Sequence, residues 1–354
     1  MLRILSMLMI CIHHTIFHGM RGADPILSAY SQFNAVITDF IYLFTICAVN
    51  CYALISGYVG ADTKWKLSNI LKLWIEVCFY NVVIMLIMLA RGVQDIDTKQ
   101  ILLSFLPVIS GRYWYFTAYF GMYFLMPVFN AAVNNMSQKQ MKILLAGIFV
   151  AFTVIPMQSS GEIFGLAKGY SCIWLMLMYI SGACIKKLKL SDRLCRHGLS
   201  AYIILLGAVF LASEIADYLL KHMGFNFKTF SLFNRYTSPN IYIAAILLLL
   251  YFSRLQPSGR LQKLTALLAP MTFGVYLIHD NKFIRTQLIK GSFSGYIALS
   301  PPLMLIAVLG TAAAIYLLCS AIDWLRIKLF GALRINAFCS FVDDRLLNGL
   351  SKLL

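Results

Sequence analysis

The chain has 354 residues, 60% of them hydrophobic and only 12% charged, whereas soluble globular chains are about 45–50% apolar and about 25% charged. So little charge cannot cover a water-soluble surface of this size, which excludes a soluble domain and points to an all-α, polytopic membrane bundle. The net charge of +16 would suggest nucleic acid in a soluble protein. Here the basic residues lie scattered in short loops, with no basic arm or RNA-binding aromatic motif, so nucleic acid is not expected as a partner. The charge is better read as setting topology and attracting anionic lipids or an anionic cosubstrate.

A span needs about 20 mainly apolar residues. About ten stretches qualify: 2–20, 36–60, 70–91, 112–133, 143–158, 171–187, 200–220, 240–254, 264–281 and 300–325. The stretches 143–158 and 240–254 are short but bounded by polar loops. ILLSFLPVIS (101–110) is too short to span and reads as interfacial or re-entrant. Ten spans put both termini on one side, and 19 of the 30 Lys and Arg residues then fall on that side. The bias places both termini in the cytoplasm. After the membrane domain (1–325) comes a tail (326–354) in which Phe338, Phe341, Val342 and Leu346 recur at helical spacing between charges. That is the pattern of a cytoplasmic amphipathic helix lying on the inner leaflet. Membrane lipids are thus the first expected partner; nothing in the pattern speaks to oligomeric state. The nine cysteines form no C-x-x-C pair and lie mostly in apolar runs, as small buried hydrophobes do. No secretory signal stands out, since the first apolar stretch contains His-His and no A-x-A site follows.

Ionisable groups inside a span are costly, so they face a bundle interior or a wet cavity and are functional candidates by default. The first span is the densest case, with Arg3, His13, His14 and His18. Arg3 and His14 lie eleven positions apart. At about 100° per residue that is about three turns plus 20°, hence one face, with an axial separation of about 16 Å. Arg3 then stands near the cytoplasmic interface and His14 near mid-membrane. His18 follows a turn later on roughly the same face, and His13 points elsewhere. Arg3 is suited to a bidentate contact with phosphate, and His14, if kept uncharged, to the work of a base. The bland accounts are an anchoring arginine and a histidine bridging two helices.

Other candidates follow in the chain. Asp39 enters the second span early and is placed to orient a histidine. Ser56-Gly57-Tyr58 reads as a close-packing site and a turn. Glu76, one turn beyond Lys72, suggests an internal ion pair. Arg112, Tyr113 and Trp114 stand near the outer interface, either as a loop charge and aromatic belt or as contacts to an acceptor. Glu214 and Asp217 share a face, with Lys221 a turn away to neutralise them. His279 and Asp280 end the ninth span on the outer side, where they bind an acceptor or fix the helix end, and Asp323 with Arg326 reads as structural. A metal is not expected. His13 and His14 are adjacent and diverge, and His14 and His18, although at ligand spacing, enclose no HExxH-type glutamate.

The R-x10-H spacing in a first span, Arg3 and His14 with Ser6 and Ile10 between them, resembles the acyltransferase 3 family of membrane acyltransferases. Later stretches resemble that family's landmarks in order. NCYALISGYVG (50–60) is similar to its second-span end, and GRYWYFTAYFGMYFLMPVFN (111–130) to its aromatic fourth-span block. GYSCIWLMLMYISGACIKK (169–187) and TFGVYLIHDN (272–281) are similar to its sixth and ninth spans. These landmarks cover nearly the whole chain. Two features depart from the pattern. Relatives carry a short polar lead before the arginine, which raises a start upstream of Met1 as an expectation, and the hydrolase-like domain that some relatives append is not seen. The resemblance implies transfer of an acyl group, commonly acetyl from acetyl-CoA, to a hydroxyl of an extracytoplasmic glycan at a bacterial inner or plasma membrane. In that light Arg3 would clamp the phosphates of acyl-CoA, a cosubstrate rather than a bound cofactor. His14 would deprotonate the acceptor hydroxyl, or carry the acyl group itself, the former being preferred. His18, Arg112, Tyr113, Trp114, His279 and Asp280 would line the acceptor side.

Two other readings compete. A transporter or flippase for a lipid-linked or small polar substrate also suits ten spans with a few buried charges, but such proteins carry two related halves, and no echo links 1–170 to 171–354. A catalytically dead scaffold of a cell-envelope complex is opposed by the intact Arg3 and His14.

Overall fold

The computed structural model describes residues 1–20, 32–93, 97–158, 162–190, 195–225 and 227–350, and among them every regular element is a helix. α1 (Leu2–His14) runs on through a π-helical turn at Thr15–Met20. α2 (Gln32–Thr45) and α3 (Ala48–Gly60) share one apolar run, broken only at Ile46 and Cys47. α4 is Leu67–Ala90, α5 Thr98–Ser104 and α6 Trp114–Asn135. α7 (Gln138–Phe149) continues to Gln158, and α8 (Cys172–Lys187), α9 (Gly198–His222) and α10 (Pro239–Arg254) follow. α11 (Gly259–Leu268) and α12 (Thr272–His279) are joined by one 3₁₀ turn. α13 (Pro301–Ala332) and α14 (Ile335–Leu350) close the chain.

Every stretch expected to span is therefore helical, and among the described residues eight helical stretches are long and apolar enough to cross a bilayer. The short run at 143–158 gains length because a capping box, Ser137 with Gln140, starts its helix earlier. α8 and α10 have 16 residues each, below the roughly 20 that a span takes. Both are wrapped by other helices: Trp174, Leu175, Met178, Ile241, Ala244 and Ala245 are fully buried. ILLSFLPVIS divides into the end of α5, whose N-cap Asp97 accepts from the Gln100 amide, and one turn at Pro107–Ser110.

α1 lies at the centre, packed against α2, α3, α10, α12 and α13. Cys11 and Ile16 are fully enclosed there. α3 and α8 approach until their backbones touch. A methyl on Gly57 would strike the Tyr179 carbonyl, and one on Gly182 the Leu54 carbonyl, so this contact needs glycine on both sides. Ser56-Gly57-Tyr58 thus serves packing, but it makes no turn, because α3 continues to Gly60. The loop after α3 is tied to the end of α8. Asp62 lies 2.8 Å from both Lys186 and Lys187, and those two ammonium groups pull its carboxyl down to about 2.

Glu76 does not pair with Lys72. It meets Arg326 at 3.0 Å, which also binds Asp323 at 2.8 Å. Tyr80 donates to the same aspartate at 2.7 Å, and Gly274 leaves room for its carboxylate. A bond across to α13 satisfies a buried carboxylate better than a lysine reaching along its own helix to water, and the network joins α4, α12 and α13. Asp217 likewise is engaged by Thr229 rather than Lys221. It accepts from the Thr229 amide and hydroxyl at 2.6 Å each. Because α13 carries Arg326 on to Ala332, the tail helix starts at Ile335. Its Cys339 and Asp343 are buried while Phe338, Phe341 and Leu346 are exposed, and it packs on α4.

Replacing Arg326 with Met leaves two buried carboxylates without a counter-ion. We expect a loss of about 3–5 kcal/mol, read as a lower melting temperature in detergent. Adding Glu76→Gln and Asp323→Asn should recover most of it.

Candidate active site

Arg3 is exposed and His14 half-buried, and both border cavities. Three cavities follow one another along α1. The first, about 290 Å³, lies at the start of α1 and is lined by Arg3, Ser56, Lys64, Trp65, Asn69 and Tyr119, among others. The second, about 160 Å³, again touches Arg3 and Ser56 and reaches Tyr52, Tyr115 and Phe273. Those three rings also border the third, about 50 Å³, which holds His14, Trp114, Tyr236, Tyr276 and Asp280. Arg3 and His14 thus stand at opposite ends of one string of cavities. The Tyr52 hydroxyl donates to the Arg3 carbonyl at 2.7 Å, which fixes α3 to the first turn of α1.

After His14 the helix widens into the π turn, a distortion frequent at functional sites. Carbonyls in the last residues of this turn, which a helix end leaves without intrahelical partners, are taken up by a distant loop: Gly291 donates its amide to the His18 carbonyl and Phe293 to that of Gly19, each at 3.0 Å. The His14 ring meets α12 there. Its Nδ1 lies 3.0 Å from Nε2 of His279, whose own Nδ1 lies 2.6 Å from the Val275 carbonyl oxygen. Asp280 Oδ1 is 3.9 Å from His14 Nδ1 and 2.9 Å from Arg285. The His18 ring stands 4.9 Å from that of His14. The result is a half-buried imidazole with a neutral hydrogen-bond partner on one side, a carboxylate nearby and a narrow cavity in front. Such a group can accept and return a proton.

The family model described as an acyltransferase domain, of the acyltransferase 3 type, matches residues 1–322. The chain belongs to the acyltransferase 3 family. No curated protein and no solved structure matches it. It is a multi-pass membrane acyltransferase.

Of the residues singled out in the sequence, the acyltransferase gathers His14, His18, His279 and Asp280 into one cluster, with Trp114 on the same cavity. Arg112 and Tyr113 are elsewhere. Arg112 donates to Ser104 at 2.7 Å and to the Gln100 carbonyl at 3.0 Å, and also to the Gln100 side chain. It braces α5 rather than facing an acceptor. Tyr113 belongs neither to an aromatic belt nor to a sugar platform. It is 1% exposed, donates to the Leu277 carbonyl at 2.6 Å and accepts from Asn281 at 2.8 Å. Arg112 and Tyr113 lie in the bend before α6, with Tyr113 extended at its N-cap, and of the three only Trp114, the first helical residue, borders the cavity. The carboxylate near His14 is Asp280, not Asp39, which lies close enough to Glu214 for the two charges to interact.

Arg285 escaped the sequence reading because it reaches Asp280 across a break between helices, where no periodicity applies. Tyr52, Tyr115 and Tyr276 escaped because aromatic residues inside spans look like ordinary core. His14, His18 and Asp280 can also bring one donor atom each to within 4.8 Å of one another, a set that could hold a transition metal. Asp280 is already held by the Arg285 guanidinium, however, and His14 Nδ1 by His279, so these donors are engaged with each other, and a cation there would face a fixed positive charge.

Because Ser56 borders both the first and second cavities, Ser56→Phe should plug the passage. Acyl transfer by membranes should fall about tenfold or more, since the reacting groups no longer meet, while Ser56→Ala stays near wild type. Fluorescence-detected gel filtration would check that both variants fold.

Proposed function

We propose that the protein takes an acyl group from cytosolic acyl-CoA and transfers it to a hydroxyl of an extracytoplasmic glycan, at a bacterial inner or plasma membrane with both termini in the cytoplasm. The observation that carries this reading is the string of cavities with a guanidinium at one end and an imidazole at the other. A CoA thioester is anionic at its nucleotide end and thin along its pantetheine arm. The wide cavity suits the first part and the narrow passage the second. Lys64 beside Arg3 adds positive charge at the mouth, and basic loops on this face raise the local concentration of an anion. The space at His14 is about 50 Å³, where one water takes roughly 10–15 Å³ on the same measure. A two-carbon acyl group fits there, and acetyl is the group we propose.

In the step itself His14 accepts the proton of the acceptor hydroxyl as the oxygen attacks the thioester carbonyl. The new C–O bond forms, the C–S bond breaks, and the departing thiolate of CoA receives the proton that His14 took. Asp280, 3.9 Å from His14, steadies the imidazolium that exists between the two transfers. Its partner Arg285 holds the carboxylate in place. Direct transfer needs no covalent acyl-histidine. Trp114, with Tyr170 and Tyr236 beside it, ring centroids at 4.6 and 6.0 Å, offers an aromatic wall for a sugar ring, and His18 stands beside His14 on the acceptor side.

His14→Ala should abolish transfer while the protein still inserts, a loss on the order of 10²–10⁴-fold for a general base. Mass spectrometry of surface glycans from cells with and without the gene tests the whole reading. The expected result is the disappearance of one acyl substituent from one glycan, and unchanged glycans in the absence of the gene, or full activity in His14→Ala, would overturn it. Arg3→Ala should chiefly raise the Michaelis constant for acetyl-CoA. Arg3→Lys should recover part of the loss, because a point charge replaces a planar fork.

A further inference from the structure

We infer that His279 is the positioning residue that fixes the tautomer of His14 and so makes His14 Nε2 the nitrogen that takes the proton. This rests on the reading of His14 as the base, and it adds which atom acts and what selects it. The argument starts from a carbonyl. The Val275 oxygen can only accept a hydrogen bond, and His279 Nδ1 lies 2.6 Å from it. In a neutral His279 ring that nitrogen must therefore carry the hydrogen, which leaves a lone pair on Nε2. The lone pair faces His14 Nδ1 at 3.0 Å. A bond of that length needs a hydrogen between the two atoms, and only His14 can supply it. Neutral His14 is therefore protonated at Nδ1, and its lone pair sits on Nε2.

The reverse arrangement fails locally. If His279 donated from Nε2, its bare Nδ1 would point a lone pair at the Val275 oxygen, two acceptors within hydrogen-bonding distance in a site where His279 is 1% exposed. A doubly protonated His279 would satisfy both contacts only by burying a cation next to His14. The helix itself sets the chain of preference, because Val275 and His279 lie four residues apart on α12 and their geometry follows from its pitch. Asp280 completes the arrangement. It lies on the Nδ1 side of His14, at 3.9 Å, so it does not compete for Nε2. When Nε2 gains the acceptor's proton, the positive ring has a carboxylate near its far edge. His279 holds one hydrogen throughout and relays none.

Orienting a base by a neutral imidazole rather than by a carboxylate has a physical reason here. The carboxylate is already paired with Arg285 at 2.9 Å, and a second anion placed against His14 would carry unbalanced charge into the bundle. A histidine fixed by its own helix supplies direction without charge.

The test uses the full-length protein in detergent micelles, labelled with ¹⁵N-histidine, and long-range proton–nitrogen correlation spectra, which distinguish the two tautomers of each ring. The His14 signals are assigned by their loss in His14→Asn. We expect the Nδ1–H form at His14 in the wild type and in His279→Gln, whose side-chain oxygen can take over the accepting role. In His279→Leu the Nε2–H form should become populated. An Nε2–H tautomer in the wild type, or an undisturbed Nδ1–H form in His279→Leu, overturns the inference. Should the Leu variant misfold, the wild-type and Gln spectra still decide. Activity forms the second arm, with labelled acetyl-CoA and native membranes supplying the acceptor. His279→Leu should lower kcat about a hundredfold with little change in KM for acetyl-CoA, and His279→Gln should restore it to within about tenfold. If His14→Asn itself keeps full activity, the reading of His14 as base falls, while the spectra continue to judge the tautomer separately.

Discussion

An imidazole and a guanidinium on an apolar helix have nowhere to go in hydrocarbon. Lipid offers no hydrogen-bond partner and no counter-charge, so such a helix must be surrounded by protein and provided with polar company. Much of the architecture answers that demand. α1 sits at the centre with five other helices around it, and its polar stripe opens onto cavities instead of lipid. The end of its π turn leaves carbonyls open, and a loop more than 270 residues later in the chain supplies the amides to satisfy two of them. Three other buried carboxylates follow the same rule: Glu76 and Asp323 around Arg326, and Asp280 against Arg285.

These two ion-pair groups divide the labour. The one around Arg326 touches none of the three cavities and ties α4 to α13 beneath α12. It acts on the site only by holding α12, the helix that carries His279. The one around Asp280 belongs to the site itself. α12 is thus anchored by Gly274 against Asp323 near its start and presents His279 and Asp280 at its end, which is how a helix of eight residues can aim a ring to within hydrogen-bond distance of another helix.

How much of this could be read from the sequence depends on the range of the interaction. Apolar length is local, and all ten stretches proved helical. Where lengths differed, the reason was a cap, as at Ser137, or burial within protein, which lets α8 and α10 be shorter than a free-standing span. The shared face of Arg3 and His14 also follows from local spacing. The meeting of His14 with His279 does not, since 265 positions separate them and nothing in one sequence couples the two. Arg112 and Tyr113 were misjudged for the opposite reason. Being adjacent to Trp114 in the chain suggested a common task, whereas the bend before α6 sends the three side chains to three different neighbours. Glu76 shows the same bias toward the nearest opposite charge, when its partner lies on another helix.

The meeting of Tyr52, Tyr115 and Phe273 between the second and third cavities carries one more consequence. A hole running most of the way through a cell membrane is dangerous, because a file of water molecules would let protons and other ions run down their gradients. The three rings stand where such a file would have to pass. Packed aromatic rings hydrate poorly, so the bundle can hold a cavity on either side of them without an electrical leak.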